Sequence, residues 1–271
     1  MGSNPERFPV ANVLGVGVHA IDMPTAVSAI VDTCTQSQRL GFVTVTGVHG
    51  VMESQRDPQI KAIHNSSYLT VPDGTPTVWV GRRQGHTGMA TVYGPHLMDR
   101  VLRAGLPLGL RHFLLGGGDG VAEQLQAALR RDYPGVEIVG IATPPFRPYT
   151  PAEELEVCDQ VRRADPHIVW VGLSTPKQEQ LMAGLVARHG DLLQPDGHGR
   201  LLIGVGAAFD FKAGLVRDQP DWIVGTGLGW AYRLTQDPRR LWRRYARNNP
   251  AFVAKSVRQM VSPQRFPLDR S

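Results

Sequence analysis

The sequence predicts an α/β fold, and two observations indicate it. Continuous apolar segments of strand length alternate with amphipathic segments of helical length along most of the chain. Strands that are apolar on both faces are typical of a mostly parallel sheet covered by helices on both sides. The 30 glycines and 21 prolines are spread along the chain, which indicates many tight turns between these elements.

The first half of the chain predicts three strands and the helices between them. An alternating segment over residues 12–22 predicts a strand or hairpin, and a helical pattern follows over 25–37. A β-branched strand ends near Thr46, and two helices follow, the second opened by Pro58. The next short strand enters a turn at residues 72–74. An Asp-Gly pair in such a place is also what a plain turn requires.

The second half predicts four further strands, HFLLG, VEIVGIA, HIVWVG and LLIGVG, separated by helices. One helix has a capping box made by Thr150 and Glu153. Another is predicted to begin at Pro176, with Ser174 or Thr175 as its N-cap. We therefore predict a Rossmann-like, doubly wound domain over residues 1–229 with ligands at the carboxyl ends of its strands, and a basic helical appendage over 230–271.

Composition excludes several classes of protein. With 42% hydrophobic and 20% charged residues, the chain is not intrinsically disordered. Two cysteines without zinc spacing exclude a disulfide scaffold and predict a reduced, cytosolic protein. Neither a signal pattern nor an apolar run of about 18 residues is present, so we expect the protein to be neither secreted nor membrane-spanning.

The net charge of +5 is unevenly distributed. Residues 230–271, from Arg233 to Arg270, hold ten basic and two acidic residues, whereas the other 229 residues hold 19 basic and 22 acidic ones. The appendage is therefore +8 and the body −3. This asymmetry indicates an anionic partner (a nucleic acid, a membrane surface or a phosphorylated substrate), or else a solvated helix face.

Two glycine-containing turns are candidate phosphate sites. Gly116, Gly117 and Gly118 lie between a strand and a helix, where backbone N–H groups can approach a phosphate, although a tight turn explains them equally well. The second turn begins at Gly172 and leads into the helix predicted to start at Pro176. Capping does not explain Lys177 and Gln178 in its first helical turn, and a lysine at the positive end of a helix needs an anion or a nearby carboxylate. The sequence has no P-loop and no Asp-x-Asp pair. We therefore predict neither a metal nor a cofactor.

Seven motifs in order make the chain, over residues 12–250, resemble the WecG/TagA/CpsF family, glycosyltransferase family 26. They are VPDG at residues 71–74, GP at 94–95, the turn at 116–118, GLSTPKQE at 172–179, GVGAAFD at 204–210, AG at 213–214, and RL with PRRLWRRY over 233–245. The resemblance implies a bacterial enzyme that transfers a sugar, such as N-acetylmannosamine or another hexose, from a UDP-sugar to an undecaprenyl-diphosphate-linked saccharide. Its products would be precursors of cell-envelope polysaccharide or teichoic acid.

The resemblance also implies roles for individual residues. Asp73 corresponds to the general base, which takes the proton of the attacking hydroxyl group, and Thr46 would lie near the sugar. The nucleotide-sugar pocket would be lined by residues of the motifs above and closed over the diphosphate by two arginines of the appendage: Gly116, Gly117, Gly118, Gly172, Lys177, Gln178, Glu179 and Asp210, with Arg233 and Arg240.

The sequence departs from the family pattern where the donor is expected. Val48 stands where an Asn is common, Thr91 where an Arg is common, and His96 where an acid is usual; Gly229 replaces the Glu of a Gly-Leu-Glu-Trp motif. The first three changes fall on the expected donor pocket. The donor sugar therefore need not be N-acetylmannosamine.

A competing hypothesis is a non-catalytic nucleotide or nucleic-acid binding protein. Its basic tail would stack bases on interleaved aromatic side chains. The acidic body and the ordered motifs favour the enzyme, so we expect no nucleic-acid partner and no catalytic metal. The sequence is compatible with a homo-oligomer and with a monomer.

The appendage is expected to lie on the inner face of the cytoplasmic membrane and to complete the active site. Its apolar residues recur at helical spacing with basic residues between them, as in a helix lying in a membrane interface. A helix packed on the body is the alternative. The apolar residues are Phe252, Val253, Val257, Met260 and Val261.

Overall fold

A computed structural model describes residues 8–145 and 147–269. Its centre is a six-stranded parallel sheet in the order β4-β3-β8-β7-β5-β6, preceded by an antiparallel hairpin of β1 and β2. The strands are β1 (Val10–Val13), β2 (Val16–His19), β3 (Leu40–Thr46), β4 (Leu69–Pro72), β5 (Arg111–Gly116), β6 (Glu137–Ala142), β7 (Ile168–Gly172) and β8 (Arg200–Gly204). The predicted fold class is confirmed.

Helices connect the strands and cover both faces of the sheet. They are α1 (Met23–Gln36), α2 (Val48–Ser54), α3 (Pro58–Ser66), α4 (Thr75–Arg83), α5 (Gly94–Gly105), α6 (Val121–Asp132), α7 (Pro151–Ala164), α8 (Lys177–Leu193), α9 (Ala208–Lys212), α10 (Gly229–Gln236) and α11 (Pro238–Val261). The predicted capping box is present: the Thr150 hydroxyl accepts from Glu153 N–H, and the Glu153 carboxylate accepts from Thr150 N–H.

Alternating side chains of each strand enter two separate hydrophobic cores. Leu201 and Ile203 pack with α1, α5 and α6 on one face of the sheet. Leu202, which lies between them, packs with α7 and α8 on the other. This alternation is the two-residue period of a strand. It explains why the strands of this sheet are apolar almost throughout.

The helix α11 packs on the body of the protein. Phe252 is buried with residues of the β1–β2 hairpin and α2, and the Gln259 side-chain carbonyl accepts from Leu14 N–H at 3.1 Å. The expectation that Phe252 belongs to an outward apolar stripe is therefore wrong. The other four residues of that stripe are exposed, and Val261 is 79% exposed. Arg270 lies outside the described residues.

Within residues 8–145 and 147–269, no helix is both long and apolar enough to cross a membrane. The division of the chain at residue 229 stays a prediction.

Candidate active site

A cavity of about 480 Å³ lies at the carboxyl ends of β3, β4 and β8, the edge at which parallel sheets bind ligands. The loop after β7 forms one wall. The segment after α9, together with α10 and α11, covers the opening. Its polar and aromatic lining residues are His49, Asp73, Thr75, Thr91, Tyr93, Ser174, Thr175, Gln178, Phe211, Gln219, Trp230, Arg233, Arg240, Arg244, Tyr245, Asn249 and Phe252.

Asp73 follows β4 and lies against the end of β3. Its backbone N–H donates to the Thr46 carbonyl at 2.9 Å. A Cβ atom on Gly47 would lie 2.6 Å from the Asp73 carbonyl oxygen, so only glycine fits beside this aspartate. Burial raises the pKa of the Asp73 carboxyl to about 6, although the charge of Arg233 opposes this shift. A carboxylate with this pKa can accept a proton near neutral pH.

Three arginines of the appendage, Arg233, Arg240 and Arg244, line the cavity, and they differ in the groups that they contact. Arg233 stacks over the Phe211 ring at 5.6 Å, and Arg240 pairs with Asp237 at 2.5 Å. The Nε of Arg244 is buried and has no hydrogen-bond partner in the part of the chain that the structure describes. Burial and the charge of Arg244 lower the pKa of His49 to about 4. This wall of the cavity is therefore suited to an anion.

A tyrosine anchors the covering segment to the body. The Tyr93 hydroxyl donates to the Asp218 carboxylate at 2.5 Å, and the Tyr232 hydroxyl of α10 donates to the Asp218 carbonyl at 3.2 Å. Burial and the neighbouring carboxylate raise the pKa of Tyr93 well above its usual range. These two bonds fix α10, and with it Arg233, over the cavity.

The structure brings four of the predicted site residues to the cavity lining: Asp73, Gln178, Arg233 and Arg240. Thr46 lies directly behind Asp73; it is 1% exposed, and its hydroxyl has no partner among the described residues. Burial raises the pKa of Asp210, although the charges of Arg240 and Arg233 oppose this shift. Asp210 therefore lies near the two arginines, but it is not part of the cavity lining.

One expectation about local structure is wrong, and one residue lies apart from the strand ends. Asp210 lies in the short helix α9, six residues after the end of β8. The helix α8 begins at Lys177, one residue later than predicted, and no side chain caps it. The Thr175 hydroxyl donates to the Glu179 carboxylate at 2.9 Å instead of capping the helix. Lys177 is exposed, and Glu179 is buried behind Gln178.

The glycine turn and Gly172 lie at the ends of β5 and β7, outside the cavity lining. Gly116 has φ +141°, and a Cβ atom there would lie 2.7 Å from the backbone N and O of Gly172. A Cβ atom on Gly117 would lie 2.7 Å from the Cβ of Val121. Close packing of the turn therefore explains these glycines without a ligand.

Substituting the turn glycines distinguishes packing from phosphate binding. Gly116→Ala is expected to lower the free energy of unfolding by roughly 2–6 kcal/mol, because backbone strain adds to a backbone clash. Gly118→Ala should change it by less than about 1 kcal/mol, because its Cβ would meet only Val121 Cγ2, at 3.9 Å. Urea denaturation measures both. A loss of nucleotide affinity in a folded Gly118→Ala protein would contradict the packing explanation.

Sequence reasoning missed several cavity residues, among them His49, Tyr93 and Arg244. Arg244 could have been found from helical spacing, because it lies four residues after Arg240 and so on the same face of α11. Tyr93 and His49 belong to no motif that indicates a ligand. Within the described ranges, no group of three or more His, Cys, Asp or Glu residues is arranged to hold a metal ion.

Comparison with known proteins places these features in a family. The sequence model of the glycosyl transferase WecG/TagA/CpsF family matches residues 11–266 of this chain. An N-acetylglucosaminyldiphosphoundecaprenol N-acetyl-beta-D-mannosaminyltransferase of Bacillus spizizenii (strain ATCC 23059 / NRRL B-14472 / W23) is 26% identical over 223 residues, which cover 82% of this chain and 81% of that protein. The enzyme of the same name from Bacillus subtilis (strain 168) is 29% identical over 180 residues, 66% of this chain and 65% of that protein, just under two thirds of its length. Because the family match spans both the sheet and the arginine-bearing helices that cover the cavity, the chain belongs to the WecG/TagA/CpsF family of glycosyl transferases.

Proposed function

We propose that this protein transfers a hexose from a UDP-sugar to a saccharide linked to a polyprenyl diphosphate, with Asp73 as the general base. The observation that most supports this is one cavity that combines a carboxylate of raised pKa with three arginines. The two Bacillus relatives are named for transfer of N-acetylmannosamine to N-acetylglucosaminyldiphosphoundecaprenol. We adopt that acceptor class and take N-acetylmannosamine as the first donor sugar to test.

The reaction is a single displacement at the anomeric carbon of the donor. Asp73 takes the proton of an acceptor hydroxyl group, and the oxygen attacks the anomeric carbon. The bond between that carbon and the diphosphate oxygen breaks, and UDP leaves with the bonding electrons. Attack opposite the leaving group inverts the configuration. Arg233, Arg240 and Arg244 would neutralise the departing diphosphate, a task that suits the planar guanidinium fork and does not require a metal ion.

Of the three departures expected in the donor pocket, Val48 and Thr91 line the cavity, whereas His96 lies outside the lining; the fourth departure, Gly229, also lines it. The donor sugar is therefore to be found by assay. A panel of UDP-sugars is offered with a soluble lipid-diphosphate N-acetylglucosamine analogue, with and without a chelator. Transfer from one UDP-sugar, unaffected by the chelator, is the expected result. Failure of every UDP-sugar would refute the proposal, and loss of activity that manganese or magnesium restores would refute metal independence.

We favour this enzyme over the nucleic-acid binding alternative because two aromatic residues of the appendage are engaged in the site. Trp230 and Tyr245 line the cavity and contact each other edge to face, with ring centroids 5.8 Å apart. They do not form an open platform for bases. Steep loss of RNA or DNA binding with rising salt, without preference for UDP, would favour the alternative.

We also propose that the appendage holds the protein on the anionic inner leaflet of the cytoplasmic membrane, where a lipid-linked acceptor is anchored. Val253, Val257, Met260 and Val261 form an exposed apolar stripe on α11, which we call the α11 stripe, and Arg258 lies beside it. Apolar residues flanked by basic ones are typical of a helix that lies in a membrane interface. On the covering segment, Trp222 is a further large apolar side chain, and it is 72% exposed.

Adding negative charge to the α11 stripe should release the protein from membranes. Val257→Glu combined with Val261→Glu is expected to weaken binding to anionic vesicles at least about tenfold, because two apolar anchors are lost and two charges are repelled. Co-sedimentation measures the binding. Leu155→Glu, at a leucine of α7 that is 52% exposed as Val257 is, is the matched control. Equal binding by both variants would contradict the proposal. Truncation is a poorer test, because it removes the buried Phe252.

A further inference from the structure

Glu179 has a buried carboxylate directly behind the cavity wall. The residue is 1% exposed and lies in the first turn of α8, where the positive end of the helix stabilises a negative charge. Its Oε1 accepts from the Thr175 hydroxyl at 2.9 Å and from Gln178 Nε2 at 3.1 Å. Its Oε2 is buried without a hydrogen-bond partner among the described residues. A buried polar oxygen without a partner costs stability, which points to a task other than folding.

The neighbouring amide of Gln178 is held at both ends. Gln178 is 3% exposed, and its Oε1 accepts from Gly206 N–H at 3.0 Å while its Nε2 donates to Glu179. The two partners agree on one orientation of the amide, since a flipped amide would set two donors against each other at Gly206. An amide has two acceptor lone pairs and two donor hydrogens. One of each therefore remains for a ligand in the cavity.

The backbone at the end of β8 lies close against the Gln178 amide and leaves no room for a side chain at Gly204. A Cβ atom on Gly204, at the end of β8, would lie 3.1 Å from Gln178 Cδ and 3.2 Å from its Nε2. The side chain thus lies flat against the strand end.

We propose that Glu179 is a positioning residue that acts on the substrate through Gln178. It holds the Gln178 amide so that one donor and one acceptor face the cavity, while the bond from the Thr175 hydroxyl fixes the Glu179 carboxylate itself. Glu179 itself touches no substrate. The inference rests on the proposed function, because the substrate that Gln178 meets is the nucleotide sugar.

A double-mutant cycle in the full chain tests whether Glu179 acts through Gln178. Glu179→Met removes the acceptor at similar volume and is expected to lower kcat/KM for the UDP-sugar about 10- to 100-fold. In a Gln178→Ala background the same change should cost less than about twofold, because the residue it positions is gone. Glu179→Gln, which keeps a carbonyl acceptor, should restore most of the activity. Gln180→Met, at the exposed neighbouring position, is the matched control. Equal costs in both backgrounds would overturn the proposal.

A second measurement does not depend on the reaction. In ¹⁵N-labelled protein, the Gln178 side-chain N–H that donates to Glu179 should exchange with solvent at least about tenfold faster in Glu179→Met than in the wild type. Unchanged exchange in a folded variant would overturn the proposal. If the wild type transfers no sugar from any UDP-sugar, the proposed function fails, and the exchange measurement still decides the role of Glu179.

Discussion

Replacing Asp73 by asparagine is expected to lower kcat about 10²–10⁴-fold, the range over which general bases contribute to catalysis. Asparagine keeps the size of the side chain but cannot take the proton of the acceptor hydroxyl. Donor affinity should change little, since in the proposed reaction the arginines, and not Asp73, bind the diphosphate. Turnover with saturating donor and acceptor is the measurement. Asp119→Asn, at an exposed aspartate in the glycine turn, is the control and should retain wild-type turnover.

The pH dependence gives the same assignment an independent test. Because burial raises the pKa of Asp73 to about 6, the carboxylate is the dominant form above pH 6 and is lost as the pH falls through that value. The kcat/KM of the wild type should therefore show an acid limb near pH 6, and the residual activity of Asp73→Asn should lack it. An acid limb that persists in the variant, or turnover close to that of the wild type, would show that another group is the base.

The sheet and its covering helices could be predicted because local and tertiary preferences agree. The strand that contains Trp170 is apolar at nearly every position, and in the structure it lies in the interior of the sheet with helices on both sides. The capping box of Thr150 and Glu153 depends only on residues three apart, so it is visible in the sequence. Prediction failed where a side chain has two possible partners. The Thr175 hydroxyl can cap a helix or bind a carboxylate, and the position of Glu179 decides between them.

The candidate site was predictable only in part, for a related reason. Asp73 and Gln178 lie in motifs at strand ends, which parallel topology brings to one edge. The arginines lie on helices whose faces depend on how the appendage docks. Helical spacing groups Arg244 with Arg240, but it does not show that this face meets the cavity while Arg243 stacks on Trp242. Phe252 was misassigned for the same reason. Its helical spacing fits the α11 stripe, but the docked helix turns it inward to the hairpin.

Arg233 is the residue whose loss should affect both binding and proton transfer. It lines the cavity on α10, where the Tyr93 and Tyr232 bonds to Asp218 hold it, and its charge lowers the pKa of Asp73 against the effect of burial. Arg233→Gln is expected to lower kcat/KM for the donor about 10²-fold, because charge-assisted hydrogen bonds to a phosphate are lost.

The same change should move the acid limb of kcat/KM to a pH above 6, because the pKa of the half-buried Asp73 is then no longer lowered by the charge of Arg233. Arg233→Lys separates the two roles: it keeps the charge and so the acid limb, but it loses the planar fork and with it most of the donor affinity. Arg239→Gln, at an exposed arginine of the same appendage, should leave both quantities unchanged. An acid limb that stays in place in Arg233→Gln while donor affinity falls would mean that Arg233 binds the diphosphate without setting the basicity of Asp73.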